Sequence, residues 1–199
     1  MRNSYFILLI ILILCSTLMA QSAQELEKEA LAGSAEAQFK LGEIYFNGES
    51  SIPRSHKDAA YWYELSASQE EPAAQNNLGF MYEHGVYYKQ NHRRAFDYYK
   101  KAAEQDYPEA LFNTARCYYN GIGVTIDMKK SAKYYKKAAG ADVPEAQFNL
   151  GTMFYTGTGV IESKEKAEFW IRKAAGNGHV QAQKAIEKIF NKQQEQSNE

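Results

Sequence analysis

Apolar and polar positions along this chain alternate in short helical blocks, and the blocks return with a period of 36 residues. The segment Ala74-Gln75-Asn76-Asn77-Leu78-Gly79-Phe80-Met81-Tyr82-Glu83-His84-Gly85 recurs from Ala110 to Gly121 and again from Ala146 to Gly157. An earlier copy, Ala37 to Gly48, starts 37 residues upstream, the extra residue falling in the loop around Ser50, Ser51 and Pro53. A period of this length marks stacked helical units. Within each copy an apolar stripe such as Ala74, Leu78 and Tyr82 predicts one helix, with Gly79 small where another backbone must come close. A second stripe follows: Ala59, Trp62, Tyr63 and Ala67 match Ala95, Tyr98, Tyr99 and Ala103, then Ser131, Tyr134, Tyr135 and Ala139, then Ala167, Trp170, Ile171 and Ala175. Offsets of 0, 3, 4 and 8 lie along one helix face. Each unit is therefore a pair of helices.

Stop and start signals agree with that reading. Pro72, Pro108 and Pro144 suit a first helical turn, where a missing N–H costs nothing, and Asp106 and Asp142 are predicted to cap it. Gly48, Gly85, Gly121 and Gly157 suit the left-handed residue that ends a helix.

The loops Gly121-Ile122-Gly123-Val124 and Gly157-Thr158-Gly159-Val160 carry the most specific resemblance. With the Ala-Leu-Gly-Tyr pattern before them and Trp/Tyr-Lys-Ala-Ala after them, they resemble the Sel1-like repeat, a relative of the tetratricopeptide repeat. The resemblance implies an all-α fold, a right-handed alpha-alpha superhelix (solenoid) in which neighbouring pairs share one continuous core. It places units at about 34–70, 71–106, 107–142 and 143–178, with a half-unit at 24–33 and another at 180–190. Two departures stand out: the second loop glycine is missing after Gly48 and Gly85, and Thr114-Ala115 replaces Leu-Gly in the third unit.

Composition adds the compartment. Arg2, the apolar run Tyr5 to Leu14 and the small-residue site at Leu18-Met19-Ala20 read as a signal peptide over 1–20. This predicts a periplasmic or secreted protein. An uncleaved anchor is the competing reading, because the run is only a little short of the roughly 20 residues that span a bilayer. Leu14 ahead of Cys15 argues against a lipoprotein. Without the leader the formal charge moves from −1 to −2, which gives nucleic acid nothing to bind. Cys117 is left as the only cysteine, so no internal disulfide can form. The polar segment 191–199 is expected to be disordered.

Candidate chemistry is sparse. A phosphate fingerprint needs a strand before its glycines, and here a helix precedes them. His56, His84, His92 and His179 lack ligand spacing, so neither metal nor cofactor is expected. Cys117 shares the register of Ile44, Met81 and Met153 and reads as a buried hydrophobe. Tyr45, Tyr82 and Tyr118, and Tyr63, Tyr99 and Tyr135, recur in register and read as packing residues.

One first-helix stripe varies between units: Glu36, Lys40, Glu43, Asn47; then Ala73, Asn77, Phe80, His84; then Glu109, Asn113, Arg116, Asn120; then Glu145, Asn149, Thr152, Thr156. In tetratricopeptide-like arrays this helix lines the concave face. The partner-binding candidates are thus Lys40, Glu43, Asn77, Phe80, His84, Asn113, Arg116, Asn120, Asn149 and Thr152. The three asparagines share one register and offer amides to a peptide backbone, while Phe80 and Arg116 are of the types enriched at interface anchors. A merely solvated polar face is the alternative. The function expected is a non-enzymatic, monomeric scaffold or regulator holding a protein or peptide. An immunity-type inhibitor of an exported toxin and an enzyme acting on cell-wall material or β-lactams are the other readings; for the enzyme, the catalytic motifs and the paired cysteines of β-lactam-binding relatives are missing.

Overall fold

The computed structural model describes residues 24–49, 52–186 and 188. The expected signal peptide and the tail 191–199 lie outside the described residues. Among the described residues ten helices run in chain order: α1 (24–31), α2 (Ala35–Asn47), α3 (His56–Ser68), α4 (Pro72–His84), α5 (His92–Glu104), α6 (Pro108–Asn120), α7 (Met128–Gly140), α8 (Pro144–Thr156), α9 (Lys164–Gly176) and α10 (Val180–Ala185). Beyond an isolated bridge between Glu49 and Ile52, the described residues contain no strand. The fold is all-α, built of consecutive helix pairs of the solenoid class.

Local chemistry explains the helix ends. Ser55, Asn91, Asp127 and Ser163 cap α3, α5, α7 and α9, each accepting a hydrogen bond from the N–H three residues on. These caps recur at the repeat period, and removing one costs about 1 kcal/mol. The capping role expected of Asp106 and Asp142 is not theirs. The N-caps of α6 and α8 are Tyr107 and Val143, which make no side-chain cap bond and precede proline at the first helical position. Asp106 and Asp142 sit one residue earlier, at φ 58° and 61°, and close the preceding turn in the left-handed region that aspartate tolerates. Their carboxylates pair instead with Lys137 at 2.7 Å and Lys173 at 2.8 Å.

The chain divides into two compact units, Met1–Ala74 and Gln75–Glu199. In the first, α2 packs on α3 around Ala30, Ala37, Leu41 and Trp62. Gln38, buried, donates to the Ala30 carbonyl at 3.0 Å and accepts from Gln69 at 2.8 Å. In the second unit α5 to α10 pack in sequence, each on the next, around a core that includes Leu111, Tyr135, Leu150 and Met153. The glutamine device recurs there: Gln105 donates to Gln75 at 3.1 Å and Asn177 to Gln147 at 3.0 Å. The third repeat puts Leu111 and Ala141 at those two places, so both polar partners are replaced together and neither is left buried alone.

The glycines inside the helices make room for side chains rather than for a backbone alone. A Cβ at Gly42 would lie 2.6 Å from the Tyr63 ring, and one at Gly79 would lie 2.7 Å from the Tyr99 ring. In the loops the approach is closer and is to backbone. A Cβ at Gly123 would come within 1.9 Å of the His92 carbonyl oxygen, and one at Gly159 within 2.2 Å of that of Met128.

Candidate functional site

The variable stripe does not behave uniformly once the helices are placed. In the first unit Lys40 is exposed and paired with Glu36 one turn away. Glu43, also exposed, has a carboxyl raised above its ordinary range, by partial burial first and by the charge of Glu49 second. In the second unit Asn77 is half-buried on α4. Phe80 and His84 lie against each other with ring centroids 4.3 Å apart. Asn113 donates to the Asn76 side-chain oxygen at 2.9 Å, so part of its hydrogen-bonding capacity is spent on a neighbouring asparagine.

The other four partner-binding candidates come together. Arg116, Asn120, Asn149 and Thr152 line one groove of about 340 Å³ along α6 and α8, with Tyr119, Tyr135 and Thr156 among the remaining walls. Tyr135 shares a hydrogen bond with Asn149, and burial pushes its hydroxyl up to about 12 despite that bond. The lining is amide, hydroxyl and aromatic, with the Met153 thioether and one charged side chain.

That charge is already answered. Arg116 reaches back 33 residues to Glu83 on α4, donating through Nη1 at 2.7 Å and Nη2 at 2.5 Å. Tyr99 of α5 donates to the same carboxylate at 2.8 Å. Glu83 is only 5% exposed. Burial alone would raise its pKa; the bonds from Arg116 and Tyr99 and the guanidinium charge outweigh it and hold the carboxyl below its usual range. Tyr99 is pushed far up, by burial and then by Glu83. Arg116 thus shows the groove a guanidinium already bidentate to a partner, an arrangement that fixes its plane.

Glu83 is absent from the sequence-derived candidates, although a signal existed. Its register holds Phe46, Tyr119 and Tyr155 in the other repeats, so a carboxylate there is the odd member of an aromatic column. Cys117 is fully buried, and burial raises its thiol to about 12, so it is held protonated. No three His, Cys, Asp or Glu side chains among the described residues are grouped to hold a metal ion. No helix among them is long and apolar enough to cross a membrane.

Helix pairs of equal length, their second helices capped alike and their neighbours stacked through shared buried residues, define a helical-repeat protein. The chain belongs to the Sel1 repeat family, whose repeat model matches residues 35–70, 72–107, 108–142 and 144–179. A Sel1 repeat protein from Oxalobacter formigenes is similar in structure, with a TM-score of 0.78 and 30% identity over 85% of this chain and 49% of that one. A protective antigen present in uropathogenic Escherichia coli strains, displaying an SLR fold, gives a TM-score of 0.77 and 32% identity over 80% of this chain and 34% of that one. The ERAD-associated E3 ubiquitin-protein ligase component HRD3A of Arabidopsis thaliana is 33% identical over 63 residues, 32% of this chain and 9% of that protein. The chain thus spans less than half the length of each of these relatives.

Proposed function

We propose that this protein is a non-enzymatic binding module of the cell envelope, periplasmic or secreted, that holds an extended segment of a partner protein in the groove along α6 and α8. The observation that carries the reading is the lining of that groove. Asn120 and Asn149 supply amide donors and acceptors suited to peptide groups, and Thr152 and Thr156, whose hydroxyls donate to the Phe148 and Thr152 carbonyls, supply acceptors. Tyr119 and Tyr135 supply rigid apolar area, and the one charge is neutralised by Glu83. Envelope residence rests on the leader-like residues 1–20. The non-enzymatic reading is supported by the protonated, enclosed Cys117 and by Ser131, whose hydroxyl donates to the Ala115 carbonyl at 2.9 Å.

The test is affinity capture from an envelope extract with the full chain as bait, read by mass spectrometry. Asn120→Ala, Asn149→Ala and Thr152→Ala combined should remove a partner retained by the unmodified chain, at unchanged far-ultraviolet circular dichroism. Retention of the same partner by the triple variant refutes the groove assignment.

A further inference from the structure

The second helices of the second unit carry charge in different ways. On α5 one stripe holds Arg93, Asp97, Lys100 and Glu104, and it is internally paired, Arg93 with Asp97 at 3.3 Å and Lys100 with Glu104 at 3.5 Å. The same register on α7 reads Lys129, Lys133, Lys136 and Gly140, all exposed, and α7 contains no carboxylate at all. Two further lysines on α7 do have counter-ions: Lys130 pairs with Asp127 at 3.3 Å and Lys137 with Asp106 at 2.7 Å. Among the described residues no carboxylate pairs with Lys129, Lys133 or Lys136.

This arrangement works against the helix that bears it. Like charges at i, i+3 and i, i+4 repel, and Lys129 stands in the first turn, where the helix dipole disfavours a cation. Nothing in the packing of α7 requires these lysines, since its buried positions are Ser131, Ala132, Tyr135, Ala138 and Ala139. A local cost without a folding benefit points to a surface kept for a partner.

The complementary charge is in the same chain. Residues 24–74 contain ten carboxylates and four cations, whereas residues 75–199 contain 14 carboxylates and 18 cations. On α1 the exposed Glu25, Glu27 and Glu29 share two nearby cations: Lys28 takes Glu25 at 3.2 Å, and the charge of Glu29 acts on Lys40, which Glu36 already pairs. Leu31, 71% exposed, stands one turn beyond Glu27 on the same side of α1 and adds apolar area there, while Glu25 and Glu29 share the other side.

We propose that the lysine stripe of α7 docks the acidic first unit of a second copy of this chain, through Glu25, Glu27 and Glu29. The contact is head to tail: two different surfaces meet, and association grows with concentration. Charge steers the encounter and contributes little tight binding, so the association is weak and depends on salt.

Sedimentation velocity of the full chain tests this. At about 0.01 M salt, where charges act over roughly 30 Å, the weight-average sedimentation coefficient should climb with protein concentration; at about 1 M, where they act over roughly 3 Å, it should stay at the monomer value. Two variants, K129E/K133E/K136E and E25K/E27K/E29K, should each remain monomeric at low salt. An equimolar mixture of the neutral variants K129Q/K133Q/K136Q and E25Q/E27Q/E29Q should recover a dimer and stop there, because each keeps the half that the other has lost. A mixture of the two charge-reversed variants should instead restore both joints and associate like the parent chain. The milder K129Q/K133Q/K136Q should also be monomeric, which separates lost attraction from a misfolded surface. A monomeric parent chain at every concentration at low salt overturns the proposal, as does association that survives in the lysine variants. Binding of a monomeric parent chain to phosphatidylserine vesicles, lost in K129Q/K133Q/K136Q, also overturns it and assigns the stripe to an anionic lipid surface.

Discussion

In the second repeat the ring of Tyr99 occupies the space left by Gly79, and its hydroxyl ends on Glu83, inside its own helix pair. In the third repeat the equivalent tyrosine, Tyr135, comes with Ala115 in the glycine's place, and its hydroxyl is shared with Asn149 on the first helix of the next pair. The neighbouring residues diverge as well. Leu78 is fully buried and apolar, whereas Thr114 buries a hydroxyl that has no partner. Ser131 bonds the Ala115 carbonyl where α3, α5 and α9 carry alanine. One tyrosine therefore closes its repeat on a charge, and the other becomes a wall of the groove. Small changes at the Leu-Gly dipeptide thus accompany a change in what the conserved-register tyrosine is bonded to, and only the third repeat lends that ring to a candidate binding surface.

The comparison breaks most visibly at Glu83. Replacing it with alanine strands Arg116 and the Tyr99 hydroxyl, and the loss of stability should be about 3 kcal/mol, measured from urea midpoints at constant slope. Combining Glu83→Leu with Arg116→Met should recover much of that loss, since a neutral pair leaves no buried charge behind. The titration gives an independent check. Glu83 has its folded pKa below the ordinary 4.5, so its contribution is present above pH 4.5 and is lost as the pH falls through the folded value. Thermal melts from pH 6 to pH 2 should therefore show a shallower acid limb for Glu83→Gln than for the parent chain.

Smaller effects sharpen the contrast at the dipeptide. Gly79→Ala drives a Cβ into the Tyr99 ring, and even after the helix-propensity gain of alanine a net loss of about 1 kcal/mol is expected by chemical denaturation. Ala115→Gly should cost about the same for the opposite reason, lost propensity without relieved crowding. Thr114→Val removes the orphaned hydroxyl at nearly constant volume and should stabilise by up to about 1 kcal/mol. A loss at Thr114→Val would show that the hydroxyl is satisfied in solution.

The helix pairs were legible in the sequence because a 36-residue period repeats the same apolar stripes, and stripes report which face of a helix is buried. Stripes do not report which residue a side chain meets one repeat away. Arg116 therefore read as a free interface anchor, and its bond to Glu83 across 33 residues became visible only in three dimensions. The turns show a related limit. Gly33, Glu70, Asp106, Asp142 and Gly178 share a register and all have positive φ, a column of two glycines and two aspartates, which tolerate that backbone, and one glutamate. Considered singly, Asp106 and Asp142 looked like helix caps; the side-chain caps of the second helices form the column Ser55, Asn91, Asp127 and Ser163, and Ser34 and His179 cap α2 and α10.

The two loop glycines that touch the start of the preceding second helix have a mechanical consequence. Gly123 rests against the His92 carbonyl and Gly159 against that of Met128, closer than any residue with a side chain could come. Each contact is a stop that acts in one direction: compressing the loop against the helix meets hard repulsion at once, while drawing them apart meets only weak attraction. These joints of the second unit should therefore yield more readily when pulled open than when pressed shut, like a ratchet pawl resting on its tooth.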